Sequence, residues 1–189
     1  SRSEMRIIMQ LVYTTSRLIL KTLDSSYADR VCKFYSDNRN FFEPWEPKRV
    51  KNFYTTEFHK ISLKYEENAI ANYHMLRLWI FNKYDPSTII GCLSFSDMKK
   101  GALLNCQLSY KIDQNHTRQG FATEALNFAI PLIFEGYQFH KIDALVHPKN
   151  KPSIHLLENL NFEFEGIAKS YINLNDKWVD HLRYSIVDK

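Results

Sequence analysis

The chain has 189 residues, enough for one domain with a buried core and no need of disulfide or metal staples. Apolar residues make up 44% and charged residues 24%, with five Gly and six Pro, which excludes collagen-like and low-complexity classes. The formal net charge of +4 comes without a long Lys/Arg run, so it suits a solvated surface or a positive pocket for an anionic cofactor better than a nucleic-acid track. The three cysteines, Cys32, Cys92 and Cys106, are odd in number and far apart; a reducing, cytoplasmic setting is the simplest one, with Cys92 and Cys106 as buried small hydrophobes. No apolar run approaches the roughly 20 residues of a membrane helix. Residues 1–10 lack a cleavable apolar leader and are read as a frayed start, with 1–4 set aside from the fold.

In chain order, Leu11 to Leu23 reads as a strand or hairpin, rich in β-branched and apolar residues. Asp24, Ser25 and Ser26 offer helix caps, and Ala28, Val31, Phe34 and Tyr35 share a helical face. Asn38 to Pro47 reads as an aromatic loop punctuated by prolines, and Phe53 to Asn68 as a polar helix. Strands follow at Tyr73 to Phe81, Thr88 to Phe95 and Ala102 to Ile112. The turns between them fall at Asp85-Pro86-Ser87 and Lys99-Lys100-Gly101, predicting an antiparallel meander. The pattern then alternates: a helix over Gly120 to Phe134 with Pro131 disturbing its last turn, a strand over His140 to Val146, and a helix over Pro152 to Leu160 closed by Asn161. Two strands, Phe162 to Tyr171 and Trp178 to Val187, end the chain around a turn at Asn173 to Asp176. With no repeat or linker, residues 1–189 read as a single α+β domain.

The stretch Tyr110 to Ala125 carries the chemistry. A strand ends, a short polar loop follows, and a helix begins at Gly120. Helix N-termini expose unpaired amides and partial positive charge, so such a loop is a ready site for a pyrophosphate. Gly120 permits close backbone approach and Ala122 keeps the first turn free of bulk. A plain strand-to-helix turn has the same spacing.

Thr117-Arg118-Gln119-Gly120-Phe121-Ala122 resembles the Gln/Arg-x-x-Gly-x-Gly/Ala loop of the GNAT acetyltransferases, with Thr117 departing from the first position. Phe121-Ala122-Thr123-Glu124-Ala125, Asn150 to Ser153, the run Leu157 to Gly166, Phe42 to Pro47 and Asp176 to His181 are similar to segments of the RimJ/RimL branch, in the same order. The resemblance implies a mixed, mostly antiparallel sheet with a splayed strand pair and helices on both faces. It implies acetyl-CoA as co-substrate and direct attack by an amine. The arm of the cofactor would pair with Tyr110, Lys111 and Ile112, and the pyrophosphate would rest on the amides of Arg118, Gln119, Gly120, Phe121, Ala122 and Thr123. Arg118 adds charge there or simply faces solvent. Asn150 would orient the arm, and Ser153 would protonate the departing thiolate or cap its helix.

The acceptor amine must lose a proton. A protein α-amine, with pKa about 7.7–8.0, is partly neutral near pH 7, whereas a lysine at about 10.4 is almost wholly charged. A weak base or a water relay therefore suffices for an N-terminus. Gln107 and Ser109, alternating on one face of their strand, and Glu43, Glu46 and Asp97 are candidates to hold that water, though surface polarity is the simpler reading of each. Trp45 would help shape the acceptor groove. The resemblance implies a protein N-terminus, such as that of a ribosomal protein. A small amine acceptor and a non-catalytic acyl-CoA-binding or RNA-associated module remain the alternatives. No membrane or direct nucleic-acid partner is required, monomer and homodimer both fit, and the scattered histidines give no metal pair.

Overall fold

The computed structural model describes residues 10–189, so the frayed-start reading of 1–10 falls, apart from Gln10, outside the described residues. One eight-stranded sheet runs through it in the order β1-β2-β3-β4-β5-β6-β8-β7. Its strands are β1 (Val12–Thr14), β2 (Leu18–Lys21), β3 (Leu76–Asn82), β4 (Asp85–Lys99), β5 (Asn105–Ile112), β6 (Lys141–Val146), β7 (Glu163–Leu174) and β8 (Lys177–Val187). Every neighbouring pair is antiparallel except β5 and β6. The helices are α1 (Ala28–Asp37), α2 (Arg39–Phe42), α3 (Thr56–Ala71), α4 (Phe121–Pro131) and α5 (Lys151–Asn159).

Alternation along β3 explains the layering. Leu76, Leu78 and Ile80 join a core with Ala125, Leu126 and Ala129 of α4 and Leu157 of α5. Trp79 and Phe81 join a second core on the opposite face with Val31 and Phe34 of α1 and Leu63 of α3. The sheet is thus covered on both faces, as expected. Cys92 and Cys106 are buried, and burial pushes the Cys106 thiol up to about 12.

Local departures have local causes. Asn38 to Pro47 is largely helical rather than a loop: α2 is followed by a 3-10 turn, Glu43–Trp45, that holds Pro44 in its first positions. Phe42 anchors it against Phe34 at 5.5 Å between ring centroids. α3 begins at Thr56, because Thr55 caps it by accepting from the Phe58 amide at 3.2 Å. Asp85-Pro86-Ser87 belongs to β4, and the tight turn falls one step earlier, where Asn82 pairs with Asp85. Asp24 caps the chain ahead of α1 by accepting from the Ser26 amide at 2.8 Å. Pro131 ends α4, and the chain widens into a π-helical turn over Leu132–Gly136. Asn161 has φ +65, as its capping role requires, while the β7–β8 turn tightens onto Asn175 and Asp176 at φ +53 and +65.

Candidate active site

β5 and β6 pair in parallel only from Asn105↔Lys141 to Leu108↔Ala144. Beyond that point β5 follows β4, with Ser109↔Ser94 through Ile112↔Gly91, while β6 follows β8, with Leu145↔Arg183 and Val146↔Leu182. The two strands splay, and the facing edges of Ser109–Ile112 and Leu145–Val146 have no sheet partner. Gly91 holds β4 tight against the splayed segment. A Cβ there would sit 2.5 Å from the Lys111 carbonyl oxygen and 2.8 Å from Ile112 Cδ1, so only glycine fits.

The loop leaving β5 is fixed by a buried carboxylate. The Asp113 amide donates to the Ile90 carbonyl at 2.9 Å. Asp113 Oδ1 accepts from Asn38 Nδ2 at 2.8 Å, and Oδ2 accepts from the Asn115 amide at 3.1 Å and meets His116 Nδ1 at 2.7 Å. Asn38 Oδ1 in turn accepts from the Gln114 amide at 2.8 Å, tying the loop to the end of α1. Thr117 Oγ1 and Gln119 Nε2 both bond back to carbonyls within the loop, those of Gln114 and Asn115. The Thr117 and Gln119 side chains are thereby turned back onto the loop.

Arg118 has φ +60 and Gly120 φ +79, with no positive φ at Gln119 between them. Such alternation turns successive N–H groups toward one concavity, an anion nest. Among the described residues, no amide from Arg118 to Thr123 donates to a protein acceptor. The nest also sits at the N-terminus of α4, whose dipole favours an anion.

A brace from the β1–β2 turn holds this helix end. Glu124 Oε2 accepts from the Arg17 amide at 2.9 Å and from Thr15 Oγ1 at 2.5 Å, while Oε1 accepts from Arg17 Nε at 2.7 Å. Arg17 Nη1 donates to the Gln119 carbonyl at 2.9 Å, and its guanidinium lies 4.5 Å over the Phe121 ring. Burial alone would raise the Glu124 carboxyl, but the bonds from Thr15 and Arg17 outweigh it and hold it below the usual carboxylate range. A depressed folded-state pKa gives stability that is present above the unfolded value and lost as pH falls through the folded one. Glu124→Gln is thus expected to cost about 2 kcal/mol in denaturant unfolding at pH 7, and the gap to the wild type to close as pH drops below about 4.

Beyond the open end of β6, Asn150 is the N-cap of α5 and its Oδ1 accepts from the Ser153 amide at 3.3 Å. The cap is Asn150 and not Ser153, whose hydroxyl instead meets the Tyr110 hydroxyl at 2.6 Å. This contact spans β5 to α5. Burial raises the Tyr110 phenol, partly countered by Ser153.

Side-chain alternation puts Gln107, Ser109 and Lys111 on the other face of β5. Glu46 approaches there, with Oε1 at 2.5 Å from Lys111 Nζ and Oε2 at 2.6 Å from Arg49 Nη2. The half-exposed Trp45 packs edge-on to His147 at 5.2 Å, and His147 to His181 at 5.8 Å. Two predicted residues, Asp97 and Glu43, remain. Asp97, at φ +49 in a bulge of β4, lines with Gln107, Asp143 and Arg183 a cavity of about 140 Å³ beside the still-paired part of β5. Glu43 bonds Arg39 at 2.7 Å instead. Sequence reasoning missed Arg17, Asn38, Asp113 and the two histidines; His181 stood in the closing motif without a role.

The sequence matches the acetyltransferase (GNAT) domain family over residues 17–163. It is 34% identical over 172 residues to the [ribosomal protein uS5]-alanine N-acetyltransferase of Escherichia coli K12, covering 89% of this chain and 87% of that protein. The structure aligns with the ribosomal-protein-S5-alanine acetyltransferase of Vibrio fischeri at a TM-score of 0.90 and 27% identity, over 95% of this chain and 97% of that one. It aligns with Mycobacterium smegmatis RimJ in complex with CoA-disulfide at 0.86 and 23% identity, covering 96% and 88%, a likeness of fold. Among the described residues no helix is long and apolar enough to cross a membrane. A splayed parallel pair, an amide nest at the following helix and a match over most of the chain lead to one assignment: this chain belongs to the GNAT acetyltransferase family and is an N-acetyltransferase of its RimJ/RimL-like branch.

Proposed function

We propose that the enzyme transfers the acetyl group of acetyl-CoA to the N-terminal α-amine of a protein, with ribosomal proteins as the acceptor class. The observation that carries this is the splay itself, bounded by free amides at Arg118–Thr123 and by the Tyr110–Ser153 hydroxyl pair. The nest suits a diphosphate in charge and in donor geometry. The open edge Tyr110–Ile112 suits an extended pantetheine arm lying alongside like a strand. Asn150 keeps an amide nitrogen available toward that arm while its oxygen caps α5. Ser153, backed by Tyr110, gives a proton to the thiolate as the C–S bond breaks. The nitrogen that forms the new C–N bond passes its second proton, through water, to the Ser153–Tyr110 hydroxyl pair, replacing the one given to sulfur, so the balance closes. Trp45 and Glu46 wall the acceptor side, and a cytoplasmic setting fits a ribosomal acceptor. The continuous sheet supports reading 1–189 as one domain.

The alanine specificity named for the Escherichia coli relative selects the test. Acetyl-CoA at about 100 times its dissociation constant should stabilise the protein by about 2.7 kcal/mol, a rise of roughly 5–10 °C in Tm. Thiol release should follow with peptides beginning in Ala and be far slower with polyamines and aminoglycosides. Faster turnover of a small amine would move the acceptor class; a thermal shift without thiol release from any amine would leave a binding module.

A further inference from the structure

Two histidines stand at the mouth of the splay in opposite hydrogen-bonding states. His147 follows the last residue of β6, and His181 lies beside it, one step beyond the Val146↔Leu182 pair. Leu182 and Tyr184 point into the α4–α5 core, so alternation turns His181 and Arg183 to the face that holds Trp45 and Lys111. His147 Nδ1 lies 3.0 Å from the Lys149 amide. An amide only donates, so Nδ1 is the bare nitrogen and neutral His147 carries its proton on Nε2. Burial, then His181, then Lys149 lower the His147 pKa, which keeps this state through neutral pH. His181 is the reverse. Its Nδ1 lies 3.1 Å from the Val179 carbonyl, which only accepts. The proton is on Nδ1 and the lone pair on Nε2.

Among the described residues, the unpaired side-chain nitrogens sealed from solvent are His59 Nε2 and Arg77 Nε. His181 Nε2 is not among them and has no hydrogen-bond partner among the described residues, so it keeps a narrow contact with solvent although His181 as a whole is only 3% exposed. Glu46, which reaches Lys111 on the splayed part of β5, already has both oxygens on cations.

Resting on the proposed α-amine acetylation, we propose that His181 is the general base of the reaction and His147 a specificity residue beside it. His181 Nε2 accepts a proton from the acceptor ammonium, and the neutral amine then attacks the thioester carbon. His147 Nε2–H donates to the carbonyl oxygen of the acceptor's first residue. An α-amine carries that carbonyl on the neighbouring carbon, within the reach of two rings whose centroids are 5.8 Å apart. A lysine ε-amine or a polyamine does not, so the pair selects chain N-termini.

Asn places an amide where histidine has Nδ1, so Asn variants keep the local bonds and delete Nε2. With acetyl-CoA and an Ala-initiated peptide, His181→Asn should lose about 100-fold in kcat. Its thermal shift with acetyl-CoA should stay intact. His181→Ala should regain activity when imidazole is added, which a structural role would not produce. His147→Asn should raise the peptide KM about tenfold with kcat little changed. Wild-type kcat in His181→Asn overturns the base assignment, as does a loss in His181→Ala that imidazole leaves unrepaired. An unchanged KM in His147→Asn overturns the specificity assignment. A wild-type enzyme that acetylates no peptide removes the parent reading and this one with it; an active wild type beside an unimpaired His181→Asn removes this one alone.

Discussion

Gly120→Asp should raise the KM for acetyl-CoA roughly 30–150-fold above that of Gly120→Asn, while being no less stable, since the helix end and Arg17 favour its charge. Gly120 has φ +79, a conformation Asn and Asp tolerate better than other side chains, so the backbone strain is shared and cancels. A Cβ at this position meets only Arg17 Nη2, at 3.4 Å, an ordinary contact. What differs is one negative charge beside the nest. A unit charge about 6 Å from a phosphate, at the effective dielectric of a protein surface, costs about 2–3 kcal/mol. Steady-state kinetics with acetyl-CoA varied at saturating peptide reads the ratio. Equal KM values would mean that the diphosphate lies elsewhere, and the amides of Arg118–Thr123 would lose their assigned ligand.

Ser153→Ala and Tyr110→Phe should each lower kcat by about 100-fold, and the double variant should fall little further. The two hydroxyls are 2.6 Å apart, so they form one proton route rather than two. Residues acting as a unit are strongly non-additive, and removing either breaks the same path. Burial holds the Tyr110 phenol above its ordinary value, so it remains a donor throughout the working range. Acetyl-CoA binding, read by thermal shift, should change little in either variant. Losses that multiply in the double variant would show that the hydroxyls act separately.

The sheet was legible because its period is local. Leu76 to Phe81 is apolar at every position but Arg77, a short run that reads as a strand, and its residues go alternately to the two cores. Asn38 to Pro47 was not. Prolines signal turns, but Pro44 sits in the first turn of a 3-10 helix, where its missing N–H costs nothing. Asp85-Pro86-Ser87 misled in the same way, since Pro86 is accommodated near the start of β4.

Within the site, the nest was readable because six consecutive residues build it and Gly120 announces its turn. The residues that hold it in place were not. Arg17 and Glu124 are 107 positions apart, and Asn38 and Asp113 are 75 apart. Nothing in periodicity links such pairs. One signal was available for Glu124: a carboxylate in the first turn of a helix whose N-terminus is proposed to take an anion calls for a cation to neutralise it, and Arg17 is that cation. For Asn38 no such signal exists in the sequence. Asp97 ends a predicted strand, and the bulge after Ser96 turns it to a cavity it shares with Gln107, Leu145 and Arg183, a placement no periodicity announces.

The unpaired edge of Ser109–Ile112 has a cost outside catalysis. An interior strand laddered on one side only is held by β4 alone, and it opens more readily than its neighbours. An extended ligand lying in the splay completes the sheet and raises the energy of that opening. Resistance of this protein to added protease should then rise with acetyl-CoA concentration, because a ligand that fills the splay also closes the strand most ready to open.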